Sequence, residues 1–391
     1  MKTTIKDLNI TDKNVIIRVD FNVPIKDNKI VDDTRIVNSL TTINYALSKA
    51  SKVILLSHLG RVKNTDDKEK NSLELVANRL KELLDTDVLF IKELDFNKIK
   101  DIVSTTSKKV ILLENTRFYD LDGDAESKCS TELAANYASL GDVFINDAFG
   151  TIHRSHASNV GIANILPSGI GLLVENEIEK LEYLSNPLRP YTVIMGGSKV
   201  SDKIEVIKNL INKCDYLVIG GAMAFTFLKA KGINIGKSLV EDEYISFCSE
   251  VLNKYVDKII LPTDIIVSKE INDANFSNKD INNLDYDDIG LDLGYNTIDT
   301  IKKVLNSSKT VFWNGPLGYY EIDTYFNATK CILEYLSTAN IKTVLGGGDI
   351  VACSKKVDIS DKIYHISTGG GATLEYLEGK ELPALAVIKN K

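Results

Sequence analysis

The chain has 391 residues, 44% of them hydrophobic, with a formal net charge of -7 and a pI near 5.4. That length exceeds what one core of roughly 250 residues fills, so two domains are expected, and the acidic balance argues against a general nucleic-acid or membrane-surface binder, which needs a basic excess. No run nears the ~18 apolar residues of a membrane span, the opening MKTTIKDLNITDKNV lacks a secretion signal's apolar core, and the scattered Cys129, Cys214, Cys248, Cys331 and Cys353 form no CxxC pair, so a cytoplasmic protein without a disulfide frame or thiolate metal site is expected.

In chain order, a strand over 15–19 runs into RVDFNVP, which sets Arg18, Asp20 and Asn22 at period two along one lip. Arg35 follows in VDDTRI. A strand over 53–57 leads to SHLGR, placing His58 and Arg61 around a glycine turn, and a helical pattern covers 73–84. Strands over 110–113 and 143–146 end in ENTRF, with Arg117, and NDAFGTIHRSH, with His153, Arg154 and His156. All seven arginines precede residue 190, and five of them sit where a strand is expected to end. Lysine supplies charge elsewhere; arginine's rigid fork matters where a phosphate or carboxylate is gripped in one orientation. Three of the four histidines share those loops.

Pro167-Ser168-Gly169 reads as the boundary of a first domain, 1–169. A connecting helix over 170–185 then stops at Asn186-Pro187. In the second domain, 186–373, strands over 193–195, 217–219, 259–262, 311–313, 343–345 and 364–367 are each trailed by glycine or proline, a helix covers 201–211, and the polar stretch 267–295 is an excursion with weak strands. Such alternation predicts parallel sheets, whose ligands collect beyond the carboxyl ends of strands and at helix N-termini. GGSKVSDKI sets Lys199 and Lys203 i,i+4 on one helical face toward a phosphate chain. WNGPLGYYE, from Trp313 to Glu321, offers apolar surface for a base and a carboxylate for ribose hydroxyls. GGGD adds backbone donors and Asp349 for a nucleotide-bound Mg²⁺, and TGGGA opens a final helix. GINIGKS has three residues between its glycines where a phosphate loop has four, so it reads as a helix end and turn.

RVDFNVP, SHLGR, ENTRF, DAFGTIHRSHAS, GGSKVSDKI, GGAMAFTFL, LPTD, FWNGPLG, GGGD and STGGGATLEYLEGKELP stand in an order and spacing that resembles the phosphoglycerate kinase family from end to end. The resemblance implies an α/β protein: two doubly wound, Rossmann-like parallel-sheet domains joined by a helix, with a hinge-bending cleft and residues 374–391 returning to the first domain. It implies reversible transfer of the acyl phosphate of 1,3-bisphosphoglycerate to Mg²⁺-ADP, giving 3-phosphoglycerate and ATP. By motif, Asp20, Asn22, Arg35, His58, Leu59, Gly60, Arg61, Arg117 and Arg154 would hold the glycerate ligand. Gly197, Ser198, Lys199, Lys203, Gly220, Gly221, Gly290, Asn314, Pro316, Glu321, Gly347, Gly348, Asp349 and Ile350 would hold the nucleotide, with Asp349 on the Mg²⁺. Arg35, Lys199, Gly348 and Gly371 would serve the transfer itself. The expected partners are these small molecules alone, with no nucleic acid and no membrane, and the expected state is a monomer. Thr116, Ser198 and Ile350 depart from the family's usual residues; Ile350 lacks the hydroxyl that threonine or serine would offer a phosphate there. Two rival readings are a non-catalytic nucleotide sensor on the same fold, against which Arg35, Lys199 and Asp349 are all retained, and a dehydrogenase, against which no GxGxxG follows a strand.

Overall fold

Consecutive apolar, β-branched residues suit strands covered on both faces. The computed structural model, which describes residues 2–121, 123–272 and 275–391, places such runs in two six-stranded sheets. The chain divides into one unit of Met1–Glu179 with Glu381–Lys391 and another of Lys180–Lys380.

In the first unit the strands are β1 (Asn14–Arg18), β2 (Lys52–Leu56), β3 (Val88–Ile91), β4 (Val110–Leu113), β5 (Val143–Asn146) and β6 (Ser168–Ile170). They pair in parallel in the order β3-β4-β2-β1-β5-β6. Alternation sorts their side chains. Val15, Ile17, Val53, Leu55, Val110 and Leu112 pack with helices Thr34–Leu47 and Glu74–Leu83, whereas Ile16, Ile54, Leu56 and Ile111 meet helices Phe96–Thr105 and Thr131–Ala138. Two strands differ from the sequence expectation. Val88–Ile91 was not anticipated, and the 167–169 boundary is replaced by β6, whose Gly169 pairs with Ile145. The following helix is Leu172–Tyr183; its first turn is held by Asp147 Oδ1, which accepts from Leu173 N at 3.0 Å and Val174 N at 3.3 Å. The C-terminal return begins at Glu381, while 374–380, expected to return as well, stay with the second unit. Thr3 N donates to Lys389 O at 2.9 Å and Ala384 N to Ile152 O at 3.1 Å.

The second unit carries β7 (Tyr191–Met195), β8 (Tyr216–Ile219), β9 (Ile259–Ile260), β10 (Asp264–Ser268), β11 (Ser277–Asp280), β12 (Ile289–Leu293), β13 (Thr310–Asn314), β14 (Lys342–Leu345) and β15 (His365–Ile366). The parallel sheet has the order β9-β8-β7-β13-β14-β15, and β11-β10-β12 form an antiparallel ribbon within the polar stretch, of which Asp273 and Ala274 lie outside the described residues. Strand order reverses between β7 and β13, where an open α/β sheet leaves its crevice. There the loops after β7, β8 and β13 touch main chain to main chain: Gly196 N donates to Asn314 O at 2.8 Å, Gly197 N to Pro316 O at 2.8 Å and Gly221 N to Leu317 O at 3.0 Å. A Cβ on Gly196 would lie 2.1 Å from Pro316 O, and one on Gly221, at φ +63°, 2.5 Å from Gly197 N.

Ile350, expected at a phosphate-facing helix start, is fully buried in the core that holds Trp313, Leu345 and Cys353. A threonine there would carry its hydroxyl into apolar packing. Ile350→Thr should therefore lower the unfolding free energy by about 1–3 kcal/mol; an unchanged urea midpoint would refute this.

Candidate active site

At the carboxyl end of the first sheet, cations converge. Arg35, in the first turn of helix Thr34–Leu47 and so not at a strand end, donates from Nη1 to Asp20 Oδ2 at 2.5 Å. Burial pushes the Asp20 carboxyl up, but Arg35, His58 and Arg18 together hold it below the usual value. His58 is driven down to about 3, first by burial and then by Arg18, Arg117 and Arg35, against the pull of Asp20. His156 is likewise lowered to about 3 by burial, Arg18, Arg117 and Arg154. Arg117, in the turn Thr116–Asp120, is lowered by burial and by Arg154, and its Nε is buried without a hydrogen-bond partner. Arg154 is exposed, its Nε 3.1 Å from His153 Nε2, and Arg61 is exposed as well. The loops themselves are tied. Asn22 Oδ1 accepts from Gly60 N at 2.8 Å, and the buried Asn115 accepts from Leu59 N at 3.2 Å and Arg117 N at 3.0 Å. SHLGR and ENTRF are thus joined by one asparagine.

Arg18 differs from the strand-end grip expected of it. It is wholly buried, donating to Ser158 Oγ at 2.8 Å, to Val19 O, and to His58 Nδ1 at 3.3 Å, which makes that nitrogen the acceptor. Ser158 in turn donates its hydroxyl to Glu126 Oε1 and its N–H to Glu126 Oε2 at 3.1 Å. Burial raises the Glu126 carboxyl despite Arg18 and Ser158. Sequence reasoning missed Glu126: a lone glutamate in GDAESKC has no local pattern, and its partners lie 32 residues on.

In the second unit, a cavity of about 330 Å³ is lined by Gly197, Ser198, Gly221, Gly290, Pro316, Glu321 and Asp349 among others, with apolar walls from Leu239, Pro262, Ile265, Ile289 and Leu317. Gly220 stands buried behind it, where a Cβ would meet Leu317 Cδ2 at 2.5 Å. Trp313 lends no surface to a base: it is fully buried, its indole N–H donating to Gly315 O at 2.7 Å. Lys199 and Lys203 do not share a helical face. The helix begins only at Ile204, Lys203 is its N-cap with φ -123°, and Lys199 lies exposed in the preceding loop. Burial lowers the Lys203 ammonium, whose Nζ donates to Asn314 Oδ1; Asn314 Nδ2 donates to Gly346 O. That chain links Lys203 to GGGD. Gly347, at φ +109°, precedes helix Gly348–Lys356, and Gly370, at φ +54°, precedes helix Gly371–Leu377, so both turns lead into helix N-termini, whose first N–H groups have no partner within the helical ladder. Asp349 is exposed in the first of these helices, and Tyr320 Oη donates to its Oδ1 at 3.3 Å.

The family profile described as phosphoglycerate kinase matches residues 5–380. A phosphoglycerate kinase of Fusobacterium nucleatum is 49% identical over 400 residues, and one of Listeria welshimeri 50% identical over 394, each covering 100% of both chains. The solved phosphoglycerate kinase of Coxiella burnetii superposes with a TM-score of 0.88 at 37% identity, covering 99% of this chain and 98% of its own. That of Pyrococcus horikoshii gives 0.85 at 29% identity, covering 98% of each. The chain belongs to the phosphoglycerate kinase family.

Proposed function

We propose a division of labour between the two units in the reaction of this family. The chain is a phosphotransferase that reversibly moves the acyl phosphate of 1,3-bisphosphoglycerate to ADP, yielding 3-phosphoglycerate and ATP. The first unit holds the glycerate ligand through Asp20, Asn22, Arg35, His58, Leu59, Gly60, Arg61, Arg117 and Arg154. The second holds the nucleotide at the cavity beside Gly197, Ser198, Gly221, Gly290, Pro316 and Glu321, with Lys199, Lys203 and the GGGD helix start at its phosphates. The observation that carries this reading is the gathering at one end of the sheet of Arg35 on Asp20, Arg18 on His58, and Arg117 near Arg154 and His156. Crowded cations of this kind suit a ligand with several negative charges.

The chemistry needs no proton to move. The bond from carboxyl oxygen to phosphorus breaks as an ADP oxygen bonds to phosphorus, and the leaving carboxylate, with a pKa near ~4, departs ionised. Rate then comes from alignment and charge neutralisation, which fall to Arg35, Lys199 and the helix starts at Gly348 and Gly371. Asp349 suits a Mg²⁺ that arrives with the nucleotide, because its exposed carboxylate has one side-chain donor and free oxygens. Bound there, the ion would neutralise phosphate charge. The carboxylates of Asp285, Asp287 and Asp288 lie close together but are engaged by Lys269 and Lys279, an ion-pair network. The same reading makes the chain a cytoplasmic monomer acting on small molecules, and no helix among the described residues is long and apolar enough to cross a membrane.

Four outcomes test it. Arg35→Ala should lower kcat at least about 10²-fold, the loss of a charged group acting on the transition state; a raised KM with intact kcat would contradict that role. Ligands held on separate units meet only if the units close, so small-angle scattering should give the smallest radius of gyration with 3-phosphoglycerate and Mg²⁺-nucleotide together. Curves identical with and without both ligands would count against closure. Finally, His58 and His156 stay neutral at working pH, so kcat should be flat between about pH 6 and 9. The folded pKa of His58, about 3, lies below its ordinary 6.5, so the unfolded chain takes up a proton first and stability falls as pH drops from 6.5 toward 3. A glutamine cannot be protonated there. Relative to wild type, His58→Gln should therefore gain stability as pH falls from about 6.5 toward 4, measured by urea titration; a relative loss would show that the native imidazole carries charge.

A further inference from the structure

GINIGKSLVE lacks the glycine spacing of a phosphate loop, and the reaction above gives it no role beyond the apolar wall that Leu239 lends the cavity. In the structure it is a strap. Lys237 N donates to Asp288 O at 2.7 Å, and Ser238 Oγ accepts from Gly290 N at 2.9 Å, which ties the strap to the start of β12 beside the nucleotide cavity. Gly236 makes the approach possible: at φ +59°, a Cβ on it would fall 2.3 Å from Asp288 O. The strap then ends at Glu241, whose own N–H donates to Thr226 Oγ1 of helix Met223–Ala230 at 3.2 Å.

The carboxylate of Glu241 receives three donors from one short segment. Val200 N reaches Oε2 at 2.5 Å, Ser201 N reaches Oε2 at 3.1 Å, and Ser201 Oγ reaches Oε1 at 2.7 Å. That segment separates Lys199 from Lys203. It lies outside the helix that starts at Ile204, so no helical ladder fixes its N–H groups. Charge-assisted bonds to a carboxylate are the stronger kind and carry direction as well as energy. We propose that Glu241 is a positioning residue: it sets the conformation of the loop that presents Lys199 to the migrating phosphoryl group, and the strap links that loop to the strand beside the nucleotide. This rests on the role given to Lys199 above.

The test uses full-length Glu241→Ala and Glu241→Gln, with Lys199→Ala alongside, in steady-state assays of both reaction directions and in hydrogen exchange at the Val200 and Ser201 amides. Glu241→Ala should lower kcat at least about tenfold while the KM for 3-phosphoglycerate stays within about twofold, as a misplaced group on the nucleotide side requires. Exchange at those two amides should quicken in the alanine variant. Glu241→Gln keeps an acceptor oxygen for both N–H groups and should recover most of kcat. Full kcat in Glu241→Ala beside a crippled Lys199→Ala would overturn the positioning role alone. Glutamine as impaired as alanine, with both variants equally destabilised to heat, would reduce Glu241 to a fold-stabilising residue and also overturn it. Full activity in Lys199→Ala would remove the role of the lysine, and the proposal with it.

Discussion

Like charge packed at the carboxyl end of the first sheet sets terms that the surrounding structure must meet. Arg117 and Arg154 repel each other, and Arg18 adds its charge from below. Such an arrangement costs stability with nothing bound, so the cations need rigid support. Arg18 supplies it from the interior. Its guanidinium is committed to Ser158, Val19 and His58, and the counter-charge of Glu126 is reached through the serine. Breaking one member would leave a buried ion or donor without a partner, which is why this network fixes loop positions more firmly than surface ion pairs can.

The second unit meets a different constraint, that of bringing main chain against main chain. Glycines after β7, β8 and β13 let three loops touch through their main chains, and no side chain fits between them. The GGGD turn and the turn before Gly371 each lead into a helix start, the kind of place where main-chain N–H groups can face an anion. Side chains act at the margin: Lys203 through Asn314, Asp349 beside Tyr320. One half therefore presents guanidinium groups and the other main-chain groups.

Much of this was legible in the chain. Strands such as Val110–Leu113 and Val143–Asn146 were placed to the residue because apolar residues run unbroken there between polar ends. Val88–Ile91 was missed because DTDVLFIKEL gives only four apolar residues with no turn signal behind them, and Ser168–Ile170 because a Ser-Gly pair looks like a linker until Asn146 and Thr4 pair with it. The motif residues were visible as types, but their orientation was not. Periodicity put Lys199 and Lys203 on one helix, whereas a glutamate some 40 positions on holds the segment in a turn. Trp313 and Ile350 looked like ligand contacts by position; the sheet and helix that carry them turn both inward. Such outcomes depend on tertiary neighbours, to which local pattern is blind.

The return of Glu381–Lys391 to the first unit has a consequence for biogenesis. Lys180–Lys380 is contiguous, so every residue of that unit is available once Lys380 has emerged. The other unit is not. Its edge pairing of Lys2 with Asn390, the bond from Thr3 to Lys389 and the bond from Ala384 to Ile152 all wait for a segment that follows the whole of the second unit in sequence. Although it leads in sequence, the amino-terminal unit therefore cannot complete its contacts before the second unit has been made in full. Until then its sheet lacks those edge contacts, and unpaired strand edges are open to association.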